Sequence, residues 1–118
     1  MGRAALARPG GPIDNRLGMS AELLDEIAAL MDASDRDLDR IERTLTDGYA
    51  HALSLEAEKS RLEKRMREVT HDLAGPDRGD LTGELSSLVR RLDGNADELS
   101  HLRGRLGDLR RHADALRG

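Results

Sequence analysis

A chain of 118 residues with 36% charged side chains, a single aromatic (Tyr49) and a mean hydropathy of -0.62 has material for one domain but not for a thick globular core. Its formal net charge of -4 argues against a nucleic-acid-binding role, and the absence of cysteine removes disulfides and thiolate-metal sites. All of the nineteen basic residues except Lys59 and Lys64 are arginine and stand among acids, so their number alone does not mark phosphate binding.

Residues 1–19 contain Pro9, Gly10, Gly11 and Pro12 without periodicity and read as a flexible N-terminal arm. Arg3 and Arg8 enclose only Ala4, Ala5, Leu6 and Ala7, too short for a signal-peptide core, and no apolar run is long enough to span a membrane. A cytoplasmic location and no membrane contact are expected on that basis.

Ser20 suits a helix N-cap, with Glu22 in the first turn and Met19 and Leu24 placed for a staple across it. From there apolar residues alternate at spacings of three and four: Leu24, Ile27, Met31, Ser34, Leu38, Ile41, Leu45, Gly48, Ala52, Leu55, Lys59, Leu62, Met66, Val69, Leu73. This heptad pattern predicts one helix over 20–74. Ser34 with Asp37 resembles a capping box and Asp47-Gly48 a helix end, but the seam keeps its phase through both. A continuous helix is expected, with a kink near Ser34 as its weakest point.

Residues 75–80, Gly-Pro-Asp-Arg-Gly-Asp, form the expected turn, and a second seam through Leu81, Leu85, Leu88, Leu92, Asn95, Leu99, Leu102, Leu106, Leu109, Ala113 and Leu116 predicts a helix over 81–117. The expected fold class is therefore all-α: a long antiparallel helical hairpin of coiled-coil type, dimerising into a helical bundle. Folding back at the turn sets Val69 against Leu85, Leu62 against Leu92 and Gly48 against Leu106. It also pairs the two interior polar residues, Lys59 and Asn95, in one register-setting layer. The edges agree with this arrangement: Asp35, Glu42, Glu56 and Glu63 meet Arg103, Arg110 and Arg117 along one side, and along the other Arg65 reaches Glu84, Glu58 reaches Arg91 and His51 reaches Glu98. Each exposed pair contributes about 0.2–1 kcal/mol and selects orientation more than it stabilises.

Residues 20–36 overhang this hairpin. They carry Leu23, Leu24, Ile27, Leu30 and Met31, an apolar stripe wider than a two-helix seam needs, and are expected to bind a partner. Tyr49 and Leu53 add a short apolar strip off the seam. The partner expected is a protein, either a second copy in a homodimer or a different chain. From Ser20 to Asp47 the acids Glu22, Asp25, Glu26, Asp32, Asp35, Asp37, Asp39, Glu42 and Asp47 outweigh Arg36, Arg40 and Arg43. That imbalance would suit a basic, nucleic-acid-binding protein as the target of regulation, although acidic faces also simply keep helices soluble.

The alternative is a nucleotide- or nucleic-acid-binding module using Arg61, Lys64, Arg65, Arg90 and Arg91 near the hairpin tip. Acids interleave with these residues, and no aromatic is present there for base stacking. Asp97 with His101 and Asp108 with His112 share helix faces, a spacing that equally describes solvent-exposed ion pairs. No metal site, cofactor, nucleophile motif or phosphate loop is expected, and the chain reads as non-enzymatic.

Overall fold

The computed structural model describes residues 11–32, 37–75 and 79–118, all of which are helix or short connections, with no strand among them. There are three described helices: α1 (Gly11–Asp32), α2 (Leu38–Asp72) and α3 (Gly79–Arg117). The chain divides into two compact units. The first contains residues 1–51 and 105–118, and the second residues 52–104.

The largest departure from the sequence expectation is at the N-terminus. Helix α1 begins at Gly11, so 11–19 are not a flexible arm; residues 1–10 lie outside the described residues. Pro12 sits in its first turn, where the missing N–H costs nothing, and Ala21 to Leu30 contain neither glycine nor proline. Ser20 is consequently inside a helix rather than capping one.

The single helix expected over 20–74 is two helices. Asp37 is the N-cap of α2: its Oδ1 accepts the Arg40 backbone N–H at 3.2 Å, and its carbonyl accepts that of Ile41 at 3.1 Å. The break falls where the capping signal stood, although the cap is Asp37; Ser34 lies outside the described residues. Asp47-Gly48, in contrast, lies within continuous helix. At its other end α2 closes with the Ala74 and Gly75 N–H groups donating to the carbonyls of His71 and Asp72. Helix α3 starts at Gly79, two residues before the expected boundary, and Asp80 occupies its first turn rather than its cap.

In the first unit, Ile27 and Leu30 of α1, Ile41 and Leu45 of α2, and Leu106, Leu109 and Ala113 of α3 form the buried apolar set. Gly48 accommodates Leu106, since a Cβ at Gly48 would overlap the Leu106 δ-carbons. In the second unit, Leu62, Val69 and Leu88 are buried together, with Met66, Leu73, Leu81, Leu85 and Leu92 packed around them. Ion pairs flank this cluster: Arg65 with Glu84, Glu58 with Arg91, and Glu56 with Arg103. Partner numbers rise along α3 as they fall along α2, the order produced by segments running in opposite directions.

Candidate functional site

Helix α1 is where the expected interaction stripe lies, and its own chain covers much of it. Ile27 and Leu30 are 0% and 1% exposed, while Leu23, Leu24 and Met31 are half-buried. Ile27 and Leu30 therefore do not present a free docking surface in this chain. The physical reason is intramolecular: burying each such side chain is worth about 1.5–3 kcal/mol, and once α1 separates from α2 at Asp37 it can fold back to gain this.

Two polar contacts fix how α1 lies on α2. The Ser20 hydroxyl and His51 Nε2 are 2.7 Å apart with both residues buried, and Arg40 Nε donates to Glu26 Oε2 at 2.8 Å near the surface. The later α1 residue meets the earlier α2 residue, so the two helices run in opposite directions. The face of α2 that receives α1 carries Thr44 and His51, both buried. Polar residue types hid this second face from hydrophobic periodicity; the signal available was the seven-residue spacing of Thr44 and His51, matched by Ser20 and Ile27 on α1.

The polar layer of the second unit also differs from expectation. Asn95 is buried, and its Nδ2 donates to the Leu55 backbone carbonyl at 3.0 Å. Its Oδ1 is buried without a hydrogen-bond partner among the described residues, so the Lys59 ammonium does not serve it. Lys59 is half-buried, which suits a side chain whose apolar stem can pack while its ammonium keeps to water and avoids the cost of burial. The Leu55 carbonyl, with two lone pairs, can accept from Asn95 and still serve its own helix.

Of the five residues considered for anion binding, three are engaged by acids. Arg65 donates from Nε and Nη2 to both carboxylate oxygens of Glu84 at 2.6 and 2.8 Å and from Nη1 to Glu68 at 3.2 Å. Arg61 and Arg91 both reach Glu58. Lys64 and Arg90 are exposed. The bidentate bonds from Arg65 hold the Glu84 carboxyl below its ordinary carboxylate value.

Tyr49 and Leu53, one turn apart on α2, are 39% and 69% exposed. On the same helix Asp39, Glu42, Arg43, Thr46 and Asp47 line an open depression of about 370 Å³, and the Glu42 carboxylate there is taken by Arg117. In α3 the Asp108 carboxylate is held by Arg105 and Arg111 instead of pairing with His112, whose Nε2 is buried without a hydrogen-bond partner among the described residues. No cluster of three metal-ligating side chains is present among the described residues, and none of the described helices is long and apolar enough to cross a membrane. Comparison of the chain with protein-family models, curated proteins and solved structures finds no match.

Proposed function

We propose that the chain is a non-enzymatic helical protein-interaction module. In this reading α2 and α3 form an antiparallel hairpin of coiled-coil type, α1 packs against its open end, and the assembly self-associates or captures a partner protein. The observation that carries it is the way apolar residues are used. Among the described residues most large ones are buried or half-buried at heptad positions, while Met19, Tyr49, Leu53 and Val89 are left exposed, Tyr49 and Leu53 together on α2. The acidic residues Asp39 and Asp47 of α2 bias such a surface toward basic partners. The arginine-based alternative is the weaker reading, because Glu84, Glu68 and Glu58 already satisfy Arg65, Arg61 and Arg91.

Light scattering over a range of concentrations, together with affinity capture from the native host, tests this proposal. Tyr49→Ser and Leu53→Ser should reduce mass or capture while circular dichroism stays helical. Unchanged mass and unchanged captured proteins in both variants would remove these residues from the interface. Binding of an oligonucleotide that weakens with salt and is lost in Arg90→Gln with Lys64→Gln would favour the alternative.

A further inference from the structure

We propose that the open edge of α2 around Thr46 is a docking site for a second copy of this chain, the two α2 helices lying antiparallel across a two-fold axis at Thr46. This rests on the interaction-module reading and names the partner for it.

The two sides of α2 in the first unit are used differently. His51 is buried on the side that meets Ser20 of α1. Tyr49, two residues away and so on another side of the helix, is exposed, and Thr46, nearly one turn before it, is exposed as well.

Register places Arg110 of α3 beside Tyr49. Glu42 meets Arg117 and Gly48 meets Leu106, so numbers fall along α3 as they rise along α2. One heptad on from the first of these contacts, Tyr49 comes level with Arg110. Arg117 is held by a glutamate, but no ion pair among the described residues engages Arg110. Asp39, Arg43 and Asp47 form none there either, and with Glu42 and Thr46 they line the open depression of about 370 Å³.

This edge is complementary to itself. Arg43, Thr46 and Tyr49 form one ridge of spacing three, with the guanidinium and the ring at equal distances on either side of Thr46. A two-fold axis at Thr46 reverses the order, so the Tyr49 ring of each copy meets the Arg43 guanidinium of the other, and this contact occurs twice. Arg110 travels with Tyr49 and is carried toward the acids of the other copy's depression, Asp39 and Glu42. A basic partner of another kind would satisfy Asp39 and Asp47 but would leave Arg43 and Arg110 against like charge.

The chain has no cysteine, so a single introduced one reports on the axis. Thr46→Cys, oxidised in the full chain over a range of concentrations, should give a disulfide-linked dimer, because a residue on the axis meets its own copy. Ala28→Cys, exposed on α1, should link much more slowly. In sedimentation equilibrium Tyr49→Ser and Arg43→Ser each remove both ring contacts, and the dissociation constant should rise at least about five-fold in each while circular dichroism is unchanged. An equimolar mixture of these two variants keeps one contact in each heterodimer and should associate more tightly than either variant alone. The inference is overturned if the wild-type chain is monomeric at every concentration. It is equally overturned if the chain dimerises but the mixture shows no recovery, or if Thr46→Cys links no faster than Ala28→Cys; self-association by another surface would then leave the interaction-module reading in place. For a monomeric wild type, a host protein captured by it and lost with Tyr49→Ser would also leave that reading standing, whereas no capture would remove both.

Discussion

Gly48 of α2 lies directly under Leu106 of α3, with no room for even one further carbon between them. Leu106 is fully buried, so its δ-carbons cannot swing into solvent to make space. Gly94 and Gly104 occupy the same kind of helical backbone but have open space where a Cβ would stand. The three glycines thus separate the two consequences of the residue, helix propensity and steric room.

Alanine substitution should resolve them. At Gly94 and Gly104 it should stabilise by about 1 kcal/mol each, the propensity gain alone. At Gly48 the same gain is offset by overpacking of about 1–3 kcal/mol, so Gly48→Ala should be neutral to destabilising. Urea denaturation of the three variants with unchanged m-values checks the difference in sign.

Asn95 leaves one buried acceptor unmatched, so Asn95→Leu should raise stability by about 1–3 kcal/mol by removing that orphan and filling the seam. Lys59→Met should change stability by less than about 1 kcal/mol, because its charge is not part of the layer. Thermal melts of the two variants test whether the carboxamide alone provides the polar cost.

The Arg65–Glu84 pair gives a pH dependence of known sign. Glu84 titrates below an ordinary carboxylate in the folded chain, so the contact contributes above the ordinary value and is lost as pH falls through the depressed one. Both side chains are more than a third exposed, so the contribution is small. A carbon-detected NMR titration should find the Glu84 midpoint below those of unpaired glutamates, and Arg65→Met should return it to them.

The seating of α1 should depend on its buried contact far more than on its exposed one. Ser20→Ala leaves the His51 Nε2 buried and without its hydroxyl, at a cost of about 1–3 kcal/mol. Glu26→Gln removes a pair that is exposed on both sides and should cost about 0.2–1 kcal/mol. Hydrogen exchange along α1 reads the two effects locally.

Much of α2 and α3 was legible from spacing alone. Heptad positions carry their burial, and the contacts of Gly48 with Leu106 and of Arg65 with Glu84 are those that the spacing predicts; for Arg103 with Glu56 and Arg117 with Glu42 the pattern predicted only that an acidic edge meets a basic one. The break before α2 was legible only as the capping signal of Ser34 and Asp37, which the seam outweighed because it keeps phase from Met31 to Leu38 with no glycine or proline between them. A cap and a continuing helix differ there by little more than one hydrogen bond, and the deciding energy comes from α1 covering a face of α2. That face includes Thr44 and His51, residues that hydropathy assigns to solvent, so the stripe of Ile27 and Leu30 looked unpartnered. Lys59 was misplaced for the opposite reason: seam position predicts where its Cα sits, not where a flexible stem carries its charge.

The central claim, that α1 turns back at Asp37 to bring Ser20 to His51, is tested most directly by one distance. Spin labels attached through Met19→Cys and Ala50→Cys, both exposed positions beside the buried pair, are measured by pulsed electron spin resonance at concentrations where the chain is monomeric. Antiparallel packing of neighbouring helices predicts a separation of about 10–20 Å once linker length is included. A straight helix through the connection would place the labels about 46 Å apart at 1.5 Å per residue, and that value in the monomer would contradict the account.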